Sequence, residues 1–95
     1  MRPGLSNDER HDDEVPELGE ALAQMIGMLL DSPDDLELAE EIDRSGDRVY
    51  KVQVDPDDLG KLIGRQGRTA RSLRSFLEAR GALDGQRYAL EIRER

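Results

Sequence analysis

From Leu18 onward the apolar positions fall into spacings that assign elements to nearly the whole chain. Leu18, Leu22, Met25, Ile26, Leu29 and Leu30 recur at i, i+4, i+7, i+8, i+11 and i+12. That series predicts a helix from Pro16, which suits a first turn, to Leu30, with Asp31-Ser32-Pro33 as its stop. In so small a chain the stripe reads as a packing face. Residues 36–43 place Leu36, Leu38 and Ile42 against Glu37, Ala39, Glu41 and Asp43, with Glu40 as an exception, which is strand periodicity. After a turn over residues 44–48, the run Val49 to Val54 alternates Tyr50, Val52 and Val54 against Val49, Lys51 and Gln53. The pair predicts a β-hairpin with one covered face. A third alternating run, Arg87 to Arg93, puts Tyr88, Leu90 and Ile92 on one side. Tyr50 and Tyr88 therefore read as core.

Two helical stretches separated by glycines lie between the second and third strands. Asp55 is placed to cap the first, Pro56 fits its opening turn, and Asp57 and Asp58 sit where the amide dipoles favour negative charge. The D-P-D-D string lacks the alternating oxygen ligands and distal glutamate of a calcium loop, so these aspartates read as capping residues. In the second stretch, Arg68 to Arg80, a helical wheel gathers Ala70, Leu73, Phe76 and Leu77 in one arc and Arg68, Arg71 and Arg74 in the opposite one. The order helix, strand, strand, helix, helix, strand predicts an α+β fold, a three-stranded sheet with helices covering one face.

Residues 1–14 (MRPGLSNDERHDDE) break the pattern: they are charged and nearly devoid of apolar side chains. Such a segment cannot bury enough surface to offset the entropy of ordering, so it is expected to be a disordered acidic tail ahead of one domain over residues 15–95. His11 lies in it beside Asp12 and Asp13 and reads as a solvated side chain rather than a metal ligand. Composition narrows the function further. Ninety-five residues make one domain at most. No cysteine is present, which removes disulfides, thiolate metal sites and cysteine nucleophiles. The start Met1-Arg2-Pro3 lacks the apolar stretch of a secretory signal, and no run approaches a membrane span, so the cytoplasm is the expected compartment.

The net charge of −8 alone argues against a nucleic-acid partner, but the average hides an asymmetry. Residues 1–60 carry 18 acidic and 5 basic side chains, net −13, whereas residues 61–95 carry 4 and 9, net +5. Within 61–80, Lys61, Arg65, Arg68, Arg71, Arg74 and Arg80 face Glu78 alone. The string Leu59-Gly60-Lys61-Leu62-Ile63-Gly64-Arg65-Gln66-Gly67-Arg68-Thr69-Ala70-Arg71 lies in that segment. With nine glycines in the chain, about one G-x-x-G pair is expected by chance; the setting makes this one informative. An apolar helix ends in Leu62-Ile63, the turn is polar and basic, and a helix with a basic face begins at once. Glycine at both ends admits a polynucleotide backbone without a Cβ clash, and amides at the next helix start point towards an anion.

These residues resemble a KH domain, whose G-x-x-G loop between two helices clamps about four nucleotides of single strand. The element order is similar to the bacterial type II KH fold. The L-G-K-L-I-G-R-Q-G-R-T-A-R-S-L-R string, the size and the leading helix resemble the stand-alone KhpA family over about residues 16 to 93, although the long acidic tail departs from that family's compact pattern. The resemblance implies single-stranded RNA held by Gly64, Arg65, Gln66 and Gly67, flanked by Lys61 and Arg68, with further charge from Arg71. It also implies an apolar base groove lined by Ile63 with Val52 or Val54. A groove of that kind suits a chain with 3% aromatic residues, too few for the stacking platforms of RRM and OB-type readers. The family further implies a homodimer or a heterodimer with a larger KhpB-like RNA-binding protein, a role as RNA chaperone or post-transcriptional regulator, a link to cell shape, and no cofactor or small-molecule substrate.

Other readings compete. A P-loop needs glycine where Leu62 stands and lysine where Arg68 stands, and it follows a strand rather than a helix. Ser72 and Ser75 have no histidine to activate them, and no nucleophile–base pair is suggested, so the chain reads as a non-enzyme. A KH fold used for protein contacts alone stays open, with the arginines paired to acidic neighbours. Charge complementarity also leads to the expectation that the acidic tail folds back on Arg65 and Arg68 and competes with RNA there.

Overall fold

The computed structural model describes residues 17–95; the predicted tail, His11 and Pro16 lie outside the described residues. Helix α1 (Leu18–Gly27) leads through a single 3₁₀ turn (Pro33–Asp35) to strand β1 (Glu37–Ile42) and strand β2 (Arg48–Val54). Helix α2 (Pro56–Ile63), a turn (Arg65–Gly67), helix α3 (Arg68–Asp84) and strand β3 (Tyr88–Glu94) complete the chain. The α+β order is the predicted one. The sheet is mixed, in the order β1-β2-β3, with β1 antiparallel and β3 parallel to the central β2. A parallel neighbour requires a crossover, and α2 and α3 supply it.

All three helices lie over the face that carries Tyr50, Val52 and Val54, and these close the core with Leu22, Ile26, Leu30, Leu62, Leu73, Leu77 and Leu90. The other face is polar, with Lys51 paired to Glu41 at 2.8 Å and Arg93 to Glu91 at 2.7 Å. Tyr50 is buried, and its ring centroid lies 6.0 Å from that of the half-buried Tyr88. The Tyr88 hydroxyl donates to Asp84 Oδ2 at 2.6 Å, which holds that carboxyl below the usual carboxylate range.

Three details depart from the apolar pattern. Helix α1 ends at Gly27, not Leu30, because the chain tightens there: Leu29 N donates to Ile26 O and Leu30 N to Gly27 O. The amides of Asp31 and Ser32 then bond to the Asp58 carboxylate at 3.1 and 2.9 Å, outside any helix. Leu30 still turns inward, while Leu29 is exposed. Ile42 shares a strand face with Leu38, yet it sits at the hairpin end of an edge strand and is exposed. Phe76 is 39% exposed, because the stripe that meets the sheet is Ala70, Leu73, Leu77 and Gly81. Six residues after Ala70, Phe76 falls about a third of a turn off that line.

Candidate nucleic-acid interface

Helix α2 starts as its sequence directs. Asp55 Oδ1 accepts from the Asp57 amide at 2.8 Å, and Pro56 occupies the first turn. Asp58 does more than complement the dipole. It is 1% exposed, and its two oxygens hold the Asp31 and Ser32 amides, tying the α1–β1 connection to the helix that presents the glycine turn. Lys61, one turn further on, pairs with Asp31, and that hydrogen bond raises the lysine above its ordinary pKa.

Three of the four residues of the turn have positive φ. Gly64 has φ 81° and ψ 167°, Gln66 φ 58° and ψ 25°, and Gly67 φ 72° and ψ 16°. Gly64 N donates to Gly60 O at 2.8 Å to end α2, and Gly67 N donates to Gly64 O at 3.0 Å to close the turn. Glycine is required at 64, because a Cβ there would clash with Thr69 Oγ1 and lie 2.9 Å from Thr69 N. Among the described residues Gln66 is the one non-glycine with positive φ, a conformation costing about 1 kcal/mol or more for such a side chain. Arg65 and Gln66 are exposed at the tip.

Beside the turn lies a shallow hollow lined by Ile63, Gly67, Ala70, Arg71, Arg74 and Ile92. Ile63 is 38% exposed and forms the apolar floor with the methyl of Ala70 and the side chain of Ile92. The expected wall of Val52 or Val54 is not there: both are fully buried. β2 is the middle strand, and its helix-facing side chains pack in the core with Leu62 of α2 and Leu73 and Leu77 of α3, so Ile92 of the edge strand β3 lines the hollow instead. Ile92 was legible as an apolar position of the third strand, but strand order, which decides that β3 borders the hollow, leaves no periodic trace in a sequence.

Apart from Arg44, in the turn between β1 and β2 and outside the ion pairs of the described residues, the described basic side chains divide into two groups. Arg48, Lys51, Lys61, Arg80, Arg87, Arg93 and Arg95 each meet a carboxylate. Among the described residues none of the ion pairs uses Arg65, Arg68, Arg71 or Arg74, and all four are exposed. Arg71 Nη2 donates to Gln66 O at 3.0 Å, and Arg74 Nη2 to Leu90 O at 3.3 Å. Arg74 therefore lies on the flank of the core stripe, over β3, rather than opposite it. The structure thus brings Ile63, Gly64, Arg65, Gln66, Gly67, Arg68 and Arg71 to one side of the molecule with Arg74 and Ile92, leaves Lys61 paired beside it, and buries Val52 and Val54.

A helix-strand-strand-helix-helix-strand chain with a glycine turn between its last two helices, set against an apolar hollow at the sheet edge, defines a type II KH domain. Residues 19–92 match the family described as KhpA/KhpB, KH domain, and the chain belongs to that family. The RNA-binding protein KhpA of Streptomyces coelicolor is 52% identical over 75 residues, covering 79% of this chain and 90% of the relative. Proteins of the same name from Aquifex aeolicus (46% over 66 residues, 70% and 82%) and Mycobacterium leprae (44% over 62 residues, 65% and 76%) are also similar. The family is not an enzyme family. Among the described residues no helix is long and apolar enough to cross a membrane.

Proposed function

We propose that this chain binds single-stranded RNA, with the backbone running over Gly64–Gly67 and one or two bases laid in the hollow of Ile63, Ala70 and Ile92. The observation that carries the reading is the set of exposed arginines that have no carboxylate partner among the described residues, gathered at the turn while the other described bases near them are paired. The names of the relatives support RNA as the ligand. Arg65 and Arg68 supply phosphate contacts, and Lys61, shared with Asp31, adds less. Few base edges are read in so small a hollow, so sequence selectivity is modest. That suits a chaperone or post-transcriptional regulator acting in the cytoplasm.

The test is a fluorescence-anisotropy titration of short single-stranded RNA at two salt concentrations, with the Arg65→Asp, Gln66→Asp double variant beside the wild type. Aspartate tolerates the left-handed position 66, so circular dichroism should show both folded. Wild type is expected to bind with a clear salt slope and the variant at least about tenfold more weakly. Equal binding, or none by either protein, removes the assignment.

One KH domain binds weakly, and pairing raises affinity through multivalency. Ser72, Phe76, Ala79 and Leu83 form an exposed stripe along α3 at i, i+4, i+7 and i+11, with Leu83 85% exposed. That stripe favours contact with a second copy or a KhpB-like partner. In sedimentation velocity, Leu83→Glu is expected to shift the chain towards monomer; a monomeric wild type, or no shift, removes the self-association reading.

A further inference from the structure

We infer that Arg71 is a positioning residue, whose guanidinium holds the Gly64–Gly67 turn in its receiving shape instead of meeting a phosphate. The inference rests on the RNA-binding reading above. Of the four arginines at positions 65–74, which take part in no ion pair among the described residues, two are engaged by backbone carbonyls, Arg71 by Gln66 O and Arg74 by Leu90 O. Among the described residues Arg65 and Arg68 have no such bond, so the set divides into two free cations and two tethered ones. The carbonyl that Arg71 takes belongs to the strained residue of the turn, Gln66, and the next residue, Gly67, is left-handed as well. Nη2 also lies 3.8 Å from where a Cβ on Gly67 would stand, so the side chain passes over the far glycine.

Two successive left-handed residues are a conformation that a free loop visits rarely. A charged donor on Gln66 O, anchored one turn into α3, favours that conformation over its alternatives. Apparent affinity scales with the fraction of molecules in the receptive state, so loosening the turn weakens binding without removing any contact to RNA. Salt dependence separates the two roles. Each phosphate neutralised on a single strand contributes about 0.7 to the slope of log K against log[salt], and a positioning cation contributes nothing to it.

The experiment uses the full chain as wild type, Arg71→Met, which keeps the stem and removes the fork, and Arg65→Met. Anisotropy with a fluorescent single-stranded oligouridylate is measured from about 50 to 200 mM salt. Hydrogen exchange of the Gln66, Gly67 and Arg68 amides is measured without RNA. Arg71→Met is expected to lose about threefold to tenfold in affinity with the wild-type slope retained, and to exchange faster at the turn. Arg65→Met should lower the slope and leave exchange unchanged. A lowered slope for Arg71→Met, or unaltered turn exchange, overturns the inference. If wild type does not bind RNA, the RNA reading fails, and the exchange comparison still decides whether Arg71 holds the turn.

Discussion

Gly64→Ala is expected to lower the melting temperature by about 10 to 25 °C and to abolish RNA binding, whereas Gly67→Ala should cost only a fraction of that stability. The difference follows from geometry. At φ 81° and ψ 167°, Gly64 occupies a region open essentially to glycine alone, with strain of about 1–3 kcal/mol for any other residue. The added methyl also meets Thr69 backbone nitrogen at 2.9 Å, atoms that α3 holds in place. Together these effects amount to about 2–4 kcal/mol, and each kcal/mol lowers the melting temperature of a domain this small by about 4–8 °C. Gly67, at φ 72° and ψ 16°, lies in the ordinary left-handed well. A Cβ there meets only Arg71 Nη2, at 3.8 Å, so its cost is about 1–2 kcal/mol. Thermal unfolding followed by circular dichroism checks the ranking, and equal losses from the two variants would refute this account of the turn.

Asp58→Ala is expected to destabilise by about 2–4 kcal/mol, although the residue looks like one of three interchangeable capping acids. Its carboxylate is buried and accepts from two backbone amides, Asp31 N and Ser32 N. Leaving a buried donor unpaired costs about 1–3 kcal/mol. Asp58→Asn retains one acceptor oxygen and should fall between wild type and alanine. Asp57→Ala, at an exposed neighbouring position of the first turn, should shift stability by no more than about 0.5 kcal/mol. Urea unfolding of the three variants measures the order. If Asp57 and Asp58 prove equivalent, Asp58 is only a dipole partner and the latch between α2 and the α1–β1 connection does not exist.

Most of the element order was legible because it rests on local periodicity. Leu22 and Ile26 at helical spacing, and Tyr50, Val52 and Val54 at strand spacing, each name a buried face without knowledge of any partner. The glycine turn was equally legible, since Gly64 and Gly67 answer a backbone requirement within four residues. Errors arose where a residue's fate depends on something distant. Phe76 and Ile42 have the right character for a core, but among the described residues no element lies over them, and both are exposed. The groove wall that the resemblance implies for Val52 or Val54 is another such case: both are buried in the core under the helices, and Ile92 of the edge strand β3 lines the hollow. Arg74 is three residues from Arg71 and chemically identical, yet one reaches a sheet-edge carbonyl and the other the turn.

By itself, then, the sequence determined what is local: the helices and strands, the caps at Asp55 and Pro56, the glycine positions and the concentration of arginine after residue 60. These depend on hydrogen bonds and sterics within a few residues, which composition and spacing encode directly. Only the tertiary structure decided which strand borders the hollow, which bases find carboxylates among the described residues, and that Asp58 reaches back 27 residues to the Asp31 amide. Each of those outcomes depends on distances between segments far apart in the chain, and those distances exist only once the sheet has closed and the helices have packed upon it.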